Sequence, residues 1–209
     1  MWAYELAESL LSTDLPRRWS HSKGVAGKAR TLADILGPDA ELLESAAVLH
    51  DVGYSPRIVD TGFHPLDGAR FLRAENVDER VVRLVAHHSC ALLEAEERGL
   101  RQELEVEFPL EEPHLVDALI YCDMTTTPDG TPTTTPDRIA EIVGRYGPDS
   151  IVGRFIRRAE PTIDAAARRI EGQLLQAQVK VVPGKAGGRG VETKGRLGQT
   201  GEQDTAITC

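Results

Sequence analysis

The hydrophobic residues of this chain recur three and four positions apart, which is the spacing of one face of a helix. Prolines, glycines and capping residues divide this pattern into separate segments. The predicted helices are residues 3–12, 20–36, 39–50, 64–72, 78–88, 91–100, 113–123, 137–146 and 149–178. No alternating run is long enough to predict a strand. The pattern therefore predicts an all-α, compact multi-helix bundle.

Capping residues fix where several of these helices begin. Ser20 is a good N-cap, so His21 is expected in the first turn of the second helix. Asp39 is expected to cap the third helix, which runs through His50 and is apolar on more than one face. The third helix is therefore predicted to lie at the centre of the protein.

The end of the chain differs in composition from the rest. The helix predicted over residues 149–178 is expected to bend or break at Pro161. Beyond it, residues are rich in glycine and poor in large apolar side chains, so burial cannot offset the entropy of ordering them. We expect one domain over residues 1–178 and a disordered tail over residues 179–209.

The composition of the chain limits the kinds of molecule that it is expected to bind. The chain has 209 residues, enough for one substantial core, and a formal net charge of −9. This charge argues against a surface that binds a nucleic-acid polymer or an anionic membrane. The three cysteines form no CxxC motif, and no apolar run or basic N-terminal segment indicates export. A cytoplasmic protein is expected; its oligomeric state is not predicted.

The segment Ala46–Tyr54 carries the strongest chemical signal. An apolar helix ends there in adjacent His50 and Asp51, and Gly53 is expected to end the helix. A buried, unpaired carboxylate costs several kcal/mol, so Asp51 requires a cation or a hydrogen-bond partner. Taken alone, the pair is better explained as a capping Asp beside a structural His.

Other residues make a metal site the better interpretation. Histidines and aspartates recur at helix entrances, at helix ends or on apolar helix faces, where side chains from several helices converge. They are His21, His50, His64, His87, His88, Asp51 and Asp123. Imidazole and carboxylate together suit one or two divalent transition-metal ions, among Fe, Mn, Co, Ni and Zn. Two such ions lower the pKa of a bridging water from about 15.7 toward about 7.

The order His21, His50-Asp51, Asp123 resembles the H…HD…D signature of the HD-domain superfamily, which contains metal-dependent phosphohydrolases on an all-helical scaffold. The resemblance extends over roughly residues 15–150. It implies that these four residues ligate a first metal. It also implies that Asp51 is catalytic, because it bridges or holds the ions or orients the attacking water.

Two further segments resemble the binuclear branches of that superfamily. His64 matches an additional histidine at a helix start, and the segment containing His87 and His88 matches the next ligand helix. His88 is favoured as the ligand because Val81 and Val85 lie seven and three residues before it on the same stripe. His87 is the second choice as ligand, although branches with a His-His pair can use both, and it is otherwise a candidate to bind substrate. The resemblance thus implies a second metal held by His64 and His88.

The resemblance implies hydrolysis of a phosphate ester of a nucleotide or nucleotide-like small molecule by metal-bound hydroxide. Branches acting on dinucleoside tetraphosphates or cyclic dinucleotides usually carry a lysine after the HD pair, where this chain has Val52-Gly53-Tyr54-Ser55. Their exact substrates are therefore not expected here. The same six ligands also resemble HD-fold di-iron oxygenases, and a non-catalytic ligand-sensing module is a third alternative.

Other residues are weaker candidates for binding the substrate or shaping its pocket. Lys23 and Arg138 are predicted to bind the substrate phosphate, and residues 125–130 either shape the mouth of the pocket or form a plain loop. His114 has no evident partner and is expected at the surface. The glutamate-rich run from Glu94 to Glu105 is expected to be a solvated helix face.

Overall fold

The structure is a computed structural model that describes residues 2–181. Within these residues the chain forms eleven α-helices and no strand, which confirms the all-α prediction. The helices are α1 (Trp2–Leu11), α2 (Pro16–Arg30), α3 (Ala33–Leu36), α4 (Ala40–Leu49), α5 (His64–Ala74), α6 (Glu79–His87), α7 (Ala91–Arg98), α8 (Arg101–Glu107), α9 (Pro113–Met124), α10 (Thr135–Tyr146) and α11 (Ile151–Val181). Short 3-10 turns at Gly37–Asp39, Val52–Tyr54 and His88–Cys90 connect some of them.

Helix α4 lies at the centre of the bundle, as its apolar sequence predicts. The four residues from Ala46 to Leu49 have no exposed surface. Helices α1, α2, α6 and α9 pack around α4, so every face of its last turn is covered. Because α4 ends at Leu49, the next two residues, His50 and Asp51, lie in the interior of the protein.

Helix α9 joins the two hydrophobic clusters of the described chain. Leu119 and Cys122 belong to the larger cluster, with residues of α1 to α7. Ile120 and Met124 belong to the smaller one, which α10 and α11 complete. Asp123 lies between residues of the two clusters and is only 6% exposed.

Helix α2 begins earlier and ends earlier than its pattern predicts. It starts at Pro16, so Ser20 is inside it and bonds the Pro16 carbonyl instead of capping the helix. His21 consequently lies in the second turn. The Thr31 hydroxyl and amide both bond the Lys28 carbonyl, which tightens the last turn and separates α2 from α3.

Helix α11 is continuous from Ile151 to Val181, so no break occurs at Pro161. The helix extends three residues into the segment predicted as a tail. The remaining residues of that segment, 182–209, lie outside the described part of the chain. None of the described helices has the length and apolar character needed to cross a membrane.

Gly53 has a different role from the predicted helix end, since α4 has already ended at Leu49. A Cβ atom on Gly53 would lie 2.0 Å from the His64 carbonyl oxygen and 2.7 Å from the Gly68 amide nitrogen. The turn Val52–Tyr54 therefore contacts the backbone of α5 directly. This close approach places His64 opposite Asp51.

Substituting Gly53 tests this contact. Gly53→Ala is expected to lower the free energy of unfolding by about 2 kcal/mol, because backbone atoms must move to admit the methyl group. Gly144→Ala is the matched control, since a Cβ at this helical glycine meets nothing within 4 Å. That control is expected to raise stability by about 0.5–1 kcal/mol. Urea unfolding monitored by circular dichroism measures both, and an unchanged midpoint for Gly53→Ala would contradict the contact.

Candidate metal centre

The six predicted ligands converge in the interior of the protein, where α2, α5 and α9 meet the ends of α4 and α6. They are His21, His50, Asp51, His64, His88 and Asp123. Five of the six are at most 6% exposed, and His64 is half-buried. Two groups have ligand atoms within 4.8 Å of one another: His21, His50 and Asp51 form one, and Asp51, His64 and His88 form the other. Asp51 is the residue that the groups share.

The two carboxylate oxygens of Asp51 face the two groups separately. Oδ2 lies 3.3 Å from His50 Nε2 and 3.9 Å from His21 Nε2. Oδ1 lies 3.5 Å from His64 Nε2. A carboxylate placed in this way suits a bridge between two cations, one on each side.

Backbone carbonyls fix the orientation of three of the histidines. His21 Nδ1 donates to the Thr127 carbonyl at 2.9 Å, His50 Nδ1 to Ala47 at 2.7 Å and His88 Nδ1 to Val85 at 2.6 Å. Each Nδ1 is thus held by a carbonyl, and Nε2 of each ring faces the site, where it is the atom that a metal would bind. Among the described residues, His50 Nε2 is buried and lacks a hydrogen-bond partner. This donor set fits a divalent transition metal.

Asp123 completes the first group. Its Oδ1 lies 2.9 Å from His21 Nε2 and 3.9 Å from His50 Nε2. Its Oδ2 accepts a hydrogen bond from the Ser89 hydroxyl. Ser89 has a φ of 48°, a strained value for a residue with a side chain, and follows His88 directly. The turn His88–Cys90 thus contains one predicted ligand, His88, and orients a second one, Asp123.

The histidines of the site differ in the direction in which their surroundings shift the pKa. Burial and the neighbouring His50 lower the pKa of His88 to about 4, and burial with the neighbouring His88 lowers the pKa of His64 well below its ordinary value. Both rings are therefore neutral at neutral pH. Burial also opposes charge on His50, but the adjacent Asp51 outweighs it and raises the pKa of His50 to about 9. The carboxylates thus attract positive charge to this position.

Arg18 is a residue of the centre that the sequence pattern did not single out. Its Nη1 donates to Asp51 Oδ2 at 2.7 Å, and its guanidinium lies 3.7 Å from the centroid of the Tyr54 ring. Tyr54 in turn stacks on His64, with ring centroids 3.9 Å apart. The sequence did contain a signal for Arg18. It precedes His21 by three residues, so both side chains lie on the same face of the helix.

A cavity of about 70 Å³ opens onto these ligands. Arg138 lines it with a side chain only 7% exposed, donates to Glu141, and keeps a buried Nε without a hydrogen-bond partner. Glu94 also lines the cavity and pairs with Arg98. The prediction that Glu94 is solvated is wrong: it is 4% exposed, and burial raises the pKa of its carboxyl group.

The remaining candidates lie away from the ligands. Lys23 is exposed, with its Nζ 5.1 Å from the Trp19 ring centroid. His87 is buried, but its Nε2 donates to the Phe108 carbonyl at 2.6 Å and it does not line the cavity. His114 is exposed, as predicted, and lies 3.5 Å from Asp39. The loop at residues 125–130 does shape the site, because Thr127 orients His21.

Curated proteins match part of the chain. A segment of 77 residues is 34% identical to a tRNA (cytidine(56)-2'-O)-methyltransferase of Picrophilus torridus, covering 37% of this chain and 22% of that protein. A segment of 70 residues is 39% identical to Ribonuclease Y of Rubrobacter xylanophilus, covering 33% of this chain and 14% of that protein. The chain thus spans less than a quarter of either relative. No solved structure matches it.

The family model of the HD domain matches residues 18–143. The matched region runs from Arg18 to Val143, in the last turn of α10, and contains all six predicted ligands. It covers more than half of the chain, and the helical architecture agrees with it. This chain therefore belongs to the HD domain family.

Proposed function

We propose that this protein is a metal-dependent phosphohydrolase that cleaves a phosphate ester of a nucleotide or nucleotide-like small molecule. The observation that carries the proposal is the position of Asp51, whose two oxygens face two separate groups of histidines. His21, His50, Asp51 and Asp123 would hold one divalent ion, and His64 and His88, with Asp51, would hold a second. When bound, such ions activate water and neutralise the charge that develops on a phosphate.

The protein's own residues position the substrate. Arg18 and Arg138 lie on the wall of the cavity beside the ligands, and both are largely buried. A guanidinium binds phosphate oxygens through paired hydrogen bonds and stabilises the charge of the transition state. The unpartnered Nε of Arg138 has a hydrogen bond to donate. We assign both arginines to the scissile phosphate.

The far wall of the cavity supports an organic leaving group. It is apolar and partly aromatic, and its residues come from α9, α10 and α11. They are Met124, Ile142, Val152, Phe155 and Ile156. Such a wall excludes water from the reacting phosphate and packs against a flat ring. A nucleoside has a ring of this kind.

The relatives bear on the reaction and on the size of the substrate. Ribonuclease Y is named for a hydrolysis of phosphodiester bonds, which favours hydrolysis over oxidation at the centre of this chain. Both relatives are named for reactions on RNA. The net charge of −9 opposes binding of a long polyanion. We therefore assign a small substrate.

Metal analysis with a matched pair of histidine variants tests the centre. The wild type is expected to contain about two divalent ions per chain and to release phosphate from nucleotides with added Mn, Co, Ni or Fe. His50→Gln is expected to lose at least one ion and to lower activity about 100-fold or more. His114→Gln, an exposed histidine outside the centre, is expected to retain both properties.

Three results of that experiment would contradict the assignment. Protein without metal after purification in the absence of chelators would exclude a metal centre. Two irons with oxygen consumption and no phosphate release would assign a di-iron oxygenase. Retained nucleotide binding without turnover under any metal would assign a ligand-sensing module.

Arg138→Gln tests the binding of the phosphate. We expect KM to rise about tenfold with metal content unchanged, because a charge-assisted hydrogen bond to the substrate is lost. Arg154→Gln is the control, since Arg154 is an exposed arginine paired with Glu97 outside the cavity. Initial-rate kinetics and metal analysis of both variants measure the effect. An unchanged KM for Arg138→Gln would remove Arg138 from the substrate site.

A further inference from the structure

His64 differs from the other predicted histidine ligands in how its ring is held. Backbone carbonyls accept hydrogen bonds from Nδ1 of His21, His50 and His88. Among the described residues, none bonds Nδ1 of His64, whose contacts are with other side chains. A histidine that binds a metal is usually oriented by a hydrogen bond at its other nitrogen, and loss of that partner weakens metal binding about 10- to 100-fold. The orientation of His64 therefore depends on the contacts of its ring.

Tyr54 makes a close stacking contact with this ring. The Tyr54 and His64 rings have centroids 3.9 Å apart and planes 21° apart. The Arg18 guanidinium carbon lies 3.7 Å from the same Tyr54 centroid. Two groups this near to one ring centroid would overlap on the same face, so Tyr54 is enclosed between Arg18 and His64. Stacked rings attract each other, and a cation is attracted to an aromatic face.

Asp51 contacts both ends of this stack. Arg18 Nη1 donates to Asp51 Oδ2 at 2.7 Å, and His64 Nε2 lies 3.5 Å from Asp51 Oδ1. The four side chains thus form a closed set of contacts, in which each one restricts its neighbours. Gly53, the residue before Tyr54, packs against the His64 carbonyl. Two consecutive residues therefore hold the backbone and the ring of His64.

The two proposed ion sites differ in their ligands. The first combines two carboxylates with two histidines, and all four are buried: His21, His50, Asp51 and Asp123. The second shares Asp51 and adds His64 and His88, so it has three protein ligands and one carboxylate. The His64 side chain is also 13% exposed. The second ion is therefore expected to bind more weakly than the first, with an affinity that depends on the orientation of His64.

We infer that Tyr54 is a positioning residue for the second ion: its ring, with Arg18 behind it, holds the His64 imidazole facing Asp51. The aromatic face of Tyr54 has this role, and its hydroxyl group does not. The inference rests on the proposed function, which assigns a second divalent ion to Asp51, His64 and His88. The two ions then bind in separate steps, and only the weaker step depends on Tyr54.

Titration of the chelator-treated full chain with Mn²⁺, measured by isothermal titration calorimetry, tests the inference. The wild type is expected to bind two ions in steps whose Kd values differ about tenfold or more. Tyr54→Leu removes the aromatic face, and it is expected to weaken the second step about tenfold and the first less than about twofold. Tyr54→Phe keeps the stacked ring, so both of its steps are expected within about twofold of the wild type.

Tyr146→Leu is the matched control. Tyr146 also lines the cavity over the ligands, but it is 38% exposed, and the Arg145 guanidinium lies 4.8 Å from its ring centroid. Neither binding step is expected to change in this variant. Urea unfolding of each variant without metal distinguishes loss of the fold from loss of an ion site.

Equal weakening of both steps by Tyr54→Leu, or no weakening, would overturn Tyr54 as a positioning residue. Similar weakening by Tyr54→Phe and Tyr54→Leu would assign the effect to the hydroxyl group and overturn the role of the stacked ring. Two ions of equal affinity in the wild type would overturn the inference even if Tyr54→Leu does not fold. A single ion would contradict the proposed function and this inference together. The expected steps without phosphate release from any nucleotide would refute hydrolysis and support the role of Tyr54.

Discussion

The burial of Asp51 is the constraint on which the rest of the centre depends. A carboxylate this far from water costs several kcal/mol unless cations and hydrogen-bond donors surround it. Burial by itself would raise the pKa of Asp51, but Arg18 and His50 outweigh burial and hold this pKa well below its ordinary value. The charge is therefore kept, and the partners must come from helices that are distant in sequence. The convergence of α2, α5, α6 and α9 on the end of α4 supplies them.

Backbone geometry gives this convergence its precision. Three histidine rings are held by carbonyls from three different places: the loop after α9, the last turn of α4 and the last turn of α6. Each carbonyl holds Nδ1, so Nε2 of the three rings faces the other side chains of the centre, as His21 Nε2 faces Asp123 and His88 Nε2 faces His64. Gly53 also contributes to this geometry. Because it has no side chain, α5 can approach closely enough for His64 to face Asp51. The rigidity of the centre thus comes from main-chain contacts.

The sequence predicts the helices and the convergence of six His and Asp residues, and it predicts less of the surroundings of these residues. Apolar periodicity identifies α4 and α9 because their burial is nearly complete, and helix boundaries place His50 and His64 at helix ends. Local propensity misplaced the start of α2, since Ser20 has the chemistry of a cap but Pro16 already begins the helix. Glu94 looked solvated because its neighbours are charged, although Ala91 and Ala95 place it beside a buried stripe. The contact of Gly53 with α5 joins residues far apart in sequence, and no local pattern encodes it.

The net charge of the chain is a poor guide to the charge around the site. A formal charge of −9 is a sum over the entire chain, so it does not describe the charge of any one part of the surface. Many of the acids are paired with arginines on outer faces, as Glu107 is with Arg70 and Asp117 is with Arg169. The arginines beside the predicted ligands are paired as well: Arg17 with Asp129, Arg18 with Asp51, and both Arg138 and Arg145 with Glu141. The charge that a ligand meets there is therefore decided by these local pairs, more than by the sum over the chain.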